Sequence, residues 1–319
     1  MLETNTVSDN NAKRRYAIDF LGKRHIAVWV SIILSVAAIG SLIGKGINFA
    51  IDFTGGTVIE AEFPVQADLV KIRTGLEEAG FRSPVVQNFG STREVLIRLV
   101  PQEGLKGEEL KDRVMDVLNQ NSELQVKLHR IEFVGPQVGE DLVEDSGMAL
   151  LLATISILIY VALRFEYRFA LGAILATLHD VIMMLGFFSV LQLEFDLSVL
   201  AAVLTIMGYS LNDTIVVFDR IRENFRKLRR GDVVEVMNIS INETLSRTLM
   251  TSFLTLLTVI AMALFGGEII HNFAVALIVG IVVGTYSSIY VASALALRLG
   301  VSRADLLIPE KEGVSDNRP

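Results

Sequence analysis

Six stretches of this chain are each long and apolar enough to cross a bilayer. They run over residues 25–44, 147–163, 169–190, 197–218, 249–266 and 271–297. About 20 apolar residues rising 1.5 Å each cover the ~30 Å of hydrocarbon in a membrane. Composition agrees: of 319 residues 51% are hydrophobic and only 20% charged, with a mean hydropathy of +0.49. A water-soluble domain is usually less apolar and about a quarter charged. The first run follows a basic segment, 13–24, and has no A-x-A cleavage site at its end, so it reads as a retained span rather than a removed leader.

Lys and Arg in the short flanking loops set the orientation. Lys13, Arg14, Arg15, Lys23 and Arg24 precede the first span, and Arg164 and Arg168 lie between the second and third. Arg220, Arg222, Arg226, Lys227, Arg229 and Arg230 follow the fourth, and Arg298 and Arg303 follow the sixth. The alternate loops, 191–196 and 266–271, contain neither residue. Both termini (1–24 and 298–319) are therefore expected in the cytoplasm, and residues 45–146 in the periplasm of a bacterial inner membrane. With no cysteine, an outer domain must stand on its own core, without disulfides or thiolate metal sites.

Residues 45–146 change period along their length. Ala50–Phe63 reads as a strand and Ala67–Ala79 as a helix with Leu69, Ile72, Leu76 and Ala79 on one side. Val85–Asn88 and Val95–Val100 are strand-like, Leu110, Val114, Val117 and Leu118 mark a second helix, and Gln125–Val134 alternates again. The order βαββαβ is the ferredoxin-like, split-βαβ pattern. The expected fold class is a mainly α membrane protein of six helices with a small α+β periplasmic domain. Between spans four and five, segment 219–246 is amphipathic, with Ile221, Phe225 and Leu228 on one side among basic residues. It reads either as a solvated helix beside anionic headgroups or as a docking surface for a cytoplasmic partner.

Nucleotide chemistry finds no support. Gly40-Ser-Leu-Ile-Gly44-Lys45 has the wrong glycine spacing for a phosphate loop and no Ser or Thr after the lysine. Neither H-E-x-x-H nor G-x-S-x-G occurs. The chain is expected to be no enzyme, to use no metal or organic cofactor, and to bind no nucleic acid. Work done by it needs another energy source, and charges inside the spans point to one, because a charge at mid-bilayer costs several kcal/mol. Asp213 lies in the fourth span, His179 and Asp180 near the middle of the third, and Arg247 opens the fifth. Arg247 could equally anchor at the headgroups.

Helical spacing puts Leu204, Met207, Leu211, Ile215 and Phe218 on one side of the fourth span, and Thr205, Tyr209, Asn212, Asp213 and Val216 on the other. The second side is expected to face the bundle. Arg247, Thr248, Thr251, Thr255 and Thr258 form a polar stripe on the fifth span, fit to solvate a water file or to bind a neighbouring helix. Arg247 is the expected charge partner of Asp213: with the guanidinium near, the ionised carboxylate is favoured, and when it withdraws, burial favours the protonated acid. Asp180 is expected to support this relay, with His179 bonded to it or turned to a partner. Gly280 and Gly284, extended by Ser287 and Ser288, form a small-residue stripe for packing within the chain or against another subunit.

Longer motifs resemble a known family. Asp52-Phe-Thr-Gly55-Gly56, Phe133-Val-Gly135-Pro-Gln-Val-Gly139, Gly208-Tyr-Ser-Leu-Asn212-Asp213-Thr-Ile-Val-Val217, Phe218–Lys227 and Ser246-Arg247-Thr248 are similar to segments of the SecD/SecF family, within the resistance-nodulation-division superfamily. The Gly-Tyr-Ser-Leu-Asn-Asp context resembles its SecF branch. The resemblance covers nearly the whole chain. It implies a subunit that acts with SecD beside the SecYEG channel, in contact with inner-membrane lipids and with the unfolded polypeptide emerging on the outer side. It also implies that Asp213 is a membrane-embedded carboxylate used in proton flow, with Arg247 beside it. On this reading the proton is the coupling ion. Two other readings stay open: a subunit of a proton-coupled small-molecule exporter, and a structural assembly subunit with no proton relay.

Overall fold

All six apolar runs are helical in the computed structural model, which describes residues 18–82, 84–101, 108–120, 125–228 and 231–301. Among the described residues, six helices are long and apolar enough to cross a membrane. They are α1 (Arg24–Gly44), α5 (Pro136–Arg164), α6 (Tyr167–Leu191), α7 (Leu197–Lys227), α8 (Val233–Phe265) and a composite last span. That last span comprises α9 (Glu268–Tyr286), a π-helical segment (Ser287–Ala292) and α10 (Ser293–Arg298). α9 packs against α7 and α8, and α1 lies along α6. Of the basic residues used for orientation, Lys13, Arg14, Arg15, Arg229, Arg230 and Arg303 lie outside the described residues, as does the tail beyond Val301.

Between α1 and α5 stand β1 (Asn48–Phe49), the one-turn α2 (Ile51–Thr54), β2 (Gly56–Glu62), α3 (Leu69–Glu78), β3 (Val85–Phe89), β4 (Ser91–Leu99), α4 (Glu108–Gln120) and β5 (Lys127–Val134). The sheet order is β3-β4-β2-β5 with all neighbours antiparallel, the split-βαβ arrangement that the periodicity predicts. In register, Ile59 faces Ile97 on β4 and Ile131 on β5. Ile59, Ala61, Ile97, Ile72, Leu76 and Val114 close one core between the sheet and its two helices. Asp68 starts α3 by accepting from the amides of Val70 and Lys71 at 3.0 and 3.2 Å, satisfying donors that a helix start leaves without partners.

Several boundaries differ from the sequence expectation. The strand expected over Ala50–Phe63 is broken: Ile51–Thr54 coil into a helical turn, and the strand starts at Gly56. α5 begins at Pro136, so residues 136–146 extend the second span as helix rather than belonging to the outer fold. Segment 219–246 is not a single helix. α7 continues to Lys227, α8 begins at Val233, and the two spans prolong each other as a hairpin. Its apolar side is buried at Ile221 and Phe225, while Arg220 pairs with Glu243 at 2.7 Å and Arg164 with Asp219 at 2.5 Å. Asn224 donates to Ser240 at 3.0 Å across the hairpin. Asn238 on α8 accepts from the amides of Phe20 and Leu21, docking the segment before α1. An apolar stripe flanked by charges describes a helix packed on a helix as well as one lying on lipid, so the sequence alone did not show the hairpin.

Candidate functional site

Asp213 is buried at 6% exposure in the middle of α7. Thr248 of α8 donates to its Oδ1 at 2.9 Å, and Ser288 of the π segment donates to its Oδ2 at 3.0 Å. Three spans thus converge on one carboxylate. Arg247 is exposed and acts on Asp213 through space; among the described residues the two make no direct ion pair within 4 Å. Asn212 and Gly208 are exposed, and nothing lies within 4 Å of a side chain added at Gly208. The structure therefore brings Thr248 to Asp213 and leaves Asn212 exposed on the helix surface.

The predicted facing of α7 needs correction. Met207, Leu211 and Phe218, expected to face lipid, are buried, while Thr205 and Asn212, expected inside, are exposed. Lipid is as apolar as leucine, so an apolar stripe does not mark the outside of a membrane helix. Asp213 itself does point inward, among hydroxyls.

A second buried carboxylate lies nearby. Asp180 of α6 is fully buried. Ser287 donates to its Oδ2 at 2.7 Å, Ser210 of α7 donates to the same oxygen, and His179 Nδ1 lies 2.9 Å from its Oδ1. His179 therefore turns to Asp180. In the sequence, Ser287 and Ser288 are visible only as small residues continuing the glycine stripe, and Ser210 only as one residue of the Gly208–Val217 motif. The stripe itself packs within the chain: a Cβ on Gly280 would sit 2.2 Å from Ile206 Cδ1, and one on Gly284 3.1 Å from Ser210 Cβ. These glycines set α9 directly against α7.

The first two sequence motifs meet where the outer domain joins the bundle. Gly55 and Gly56 have φ of 66° and 129°, a region that side chains with a Cβ seldom occupy. A Cβ on Gly56 would also lie 2.6 Å from the carbonyl oxygen of Leu99 on β4. Gly139 of α5 packs on this corner, its missing Cβ 3.0 Å from Gly55 N and 3.2 Å from Phe53 O, and Gly135 caps the start of α5. Asp52 has a role that sequence reading did not assign. Its Oδ2 accepts from the amide of Leu197 at 3.0 Å, at the first residue of α7, where the helix dipole favours an anion. Asp196 shares that helix end, accepting from Val199 N at 2.8 Å. Beside it, β1 pairs in parallel with β6 (Glu194–Phe195), Asn48 opposite Glu194 and Phe49 opposite Phe195.

The sheet face away from α3 and α4 overhangs the bundle across a cavity of about 600 Å³ lined by Asp52, Glu60, Arg98, Arg130, Glu132 and Glu194, among others. Arg98 of β4 pairs with Glu194, and Gln87 donates to Glu194 at 3.3 Å, tying the sheet to the loop before α7. Burial holds the Glu60 carboxyl above the usual glutamate range, against the opposing pull of Arg130.

A bundle of six membrane helices whose buried carboxylates bind hydroxyls of neighbouring spans, joined by a double-glycine corner to a split-βαβ domain, defines a class of helical membrane proteins with an appended outer domain. Comparison places the chain more narrowly. The family of the protein export membrane protein SecD/SecF, C-terminal, matches residues 114–302, and the SecD/SecF GG motif matches residues 40–63. The protein translocase subunit SecF of Vibrio alginolyticus is 52% identical over 94% of this chain and 96% of its own length. Those of Pseudomonas aeruginosa and Escherichia coli O157:H7 are 49% and 45% identical over 95% and 98% of this chain and 98% of their own lengths. The crystal structure of SecDF, a translocon-associated membrane protein from Thermus thermophilus, superposes with a TM-score of 0.79 at 42% identity. That match covers 88% of this chain and 38% of the Thermus chain. The chain belongs to the SecD/SecF family. It is a multi-pass membrane subunit of the protein translocase, of the SecF type.

Proposed function

We propose that this subunit uses the proton motive force, together with SecD, to promote export of polypeptides through SecYEG. The reading places residues 45–146 in the periplasm and both termini in the cytoplasm, as the Lys and Arg distribution favours. The observation that carries it is Asp213, buried where α7, α8 and the π segment meet and held, among the described residues, by the hydroxyls of Thr248 and Ser288. A carboxylate bonded to hydroxyls can give up or accept a proton without a fixed countercharge leaving its site, because a hydroxyl serves as donor to the ionised form and as acceptor for the protonated one. Arg247, one residue from Thr248 and free of a direct ion pair with Asp213, is the cation that would favour the ionised form were α8 to bring it closer. A potential of 100 mV contributes about 2.3 kcal/mol per charge crossing the whole field, enough to bias a two-state equilibrium. Asp52 on the N-terminus of α7 provides the route from that equilibrium to the outer domain.

The test is export into inverted membrane vesicles at matched protein level, with and without an ionophore. Asp213→Asn is expected to abolish the gradient-dependent fraction while leaving co-purification with SecD intact; Asp213→Glu should keep part of it, and Arg247→Met should lose it. An Asp213→Asn protein that still responds to the gradient as the unaltered chain does would leave a scaffold and no proton relay.

A further inference from the structure

Ser287 and Ser288 are consecutive, and each holds a different buried carboxylate: Ser287 bonds Asp180 of α6 at 2.7 Å, and Ser288 bonds Asp213 of α7 at 3.0 Å. Both stand at the start of the π-helical segment Ser287–Ala292. π turns are rare, occur mostly as single turns within α-helices, and concentrate at functional sites. Both hydroxyls also have an acceptor on their own helix: Gly284 O is 3.4 Å from Ser287 Oγ, and Thr285 O is 3.1 Å from Ser288 Oγ. The carbonyl of Ser288 receives the Ser293 hydroxyl at 3.4 Å. Each serine can therefore turn between a carboxylate and the helix backbone. Asp180 has a further tie to the helix of Asp213 through Ser210.

From this geometry we infer that the π turn couples two proton sites, so that occupancy at Asp213 is felt at Asp180 through the Ser287–Ser288 pair. The inference rests on the reading that Asp213 takes up and releases a proton. An ionised carboxylate only accepts, whereas a protonated one carries a hydrogen that needs an acceptor of its own. Protonation of Asp213 turns Ser288 from donor to acceptor or sends its hydrogen to Thr285 O. Ser287, on the same turn, shifts with it and changes the donors available to Asp180. A second observation points to Asp180 as more than a structural acid. Its partner His179 has a buried Nε2 with no hydrogen bond among the described residues, and a buried polar atom left without a partner costs free energy. The remaining titratable groups on these segments are occupied differently. Tyr209 donates to Ser252 and Tyr286 to Ala27 O, Tyr290 stacks on Tyr286, and Arg247 acts on Asp213 through space.

The experiment is a pH titration by difference infrared spectroscopy of the full chain assembled with SecD, with isotope-labelled aspartate. Asp180→Asn and Asp213→Asn assign the carboxyl bands. In the otherwise unaltered chain, Asp180→Asn is expected to shift the proton affinity of Asp213 about tenfold or more, the scale at which two sites titrate as a pair. With Ser287→Ala and Ser288→Ala both present, the same substitution should shift it less than about threefold. An equal shift in both backgrounds would show coupling through space and overturn the role of the serines. If the doubly substituted chain does not assemble, Ser287→Cys and Ser288→Cys singly keep the size with a weaker donor; each should reduce the coupling, and full coupling in both overturns the proposal. A titrating Asp213 that is indifferent to Asp180→Asn removes the coupling alone. An Asp213 that shows no protonation change between pH 5 and 9 removes the proton reading and this inference together.

Discussion

The outer domain and the membrane bundle sort their residues by opposite rules. In the outer domain large apolar side chains go inside: Ile59, Ile97, Leu76, Val114 and Leu118 are fully buried. In the bundle many large apolar side chains go outside, among them Trp29, Leu163, Phe253, Leu257 and Phe265. The interior between helices takes up Ala173, Ala202, Ala276, Gly280 and Ser287 together with both acids. Among the described residues, every buried polar side chain except Thr57 belongs to a membrane helix. The difference follows from the solvent. Water expels apolar surface. Lipid does not, so helices there associate through close packing and hydrogen bonds.

The largest expected effect tests the two rules directly. Ile59→Ala leaves a void between β2 and its helices and should destabilise the outer domain by about 2–5 kcal/mol, read as faster amide exchange in β2 and β4 of the full chain. Phe253→Ala removes more carbon from the exposed side of α8 and should change thermal stability in detergent by less than about 0.5 kcal/mol. A comparable loss from both would erase the distinction. Next in size is Gly280→Ala. The added carbon meets Ile206, and relief of that contact should cost about 1–3 kcal/mol, although alanine is the better helix former. A stabilised Gly280→Ala protein would show that propensity, and not approach, governs α9.

The smallest effect concerns a charge in the outer domain. The folded state holds Glu60 above its ordinary range, so folding favours the neutral acid. Its relative contribution is best below the unfolded value and declines as pH rises through the folded one. Glu60→Gln should therefore raise outer-domain stability slightly at neutral pH and leave it unchanged near pH 4, as measured by urea midpoints at the two pH values. A destabilised variant at neutral pH would mean that the Arg130 pairing at 3.6 Å outweighs burial.

The same contrast explains what was legible in the sequence. The βαββαβ order was readable because period two and period 3.6 are imposed by water on one side and a core on the other, as at Val95–Leu99 and Leu110–Leu118. The six spans were readable because their length is imposed by the bilayer. The facing of α7 was not, since Met207 and Phe218 suit lipid and protein interior equally. Asp213 and Asp180 stood out by their cost, whereas Ser210, Ser287 and Ser288 cost little in a helix and so gave no warning that they hold those acids. The capping of α7 by Asp52 joins residues 145 positions apart, which no local pattern encodes.

That cap has a mechanical meaning. From Leu197 to Asp213 runs an uninterrupted stretch of helix, roughly 24 Å long at 1.5 Å per residue. A helix resists compression along its axis, so it behaves as a pushrod with Asp213 on its shaft and the Asp52 corner on its tip. The parallel pair β1–β6 and the close seat of Gly139 leave that tip little lost motion. On the proposed function, a displacement along α7 would reach the outer domain through this tip, beside the corner made by Gly55 and Gly56.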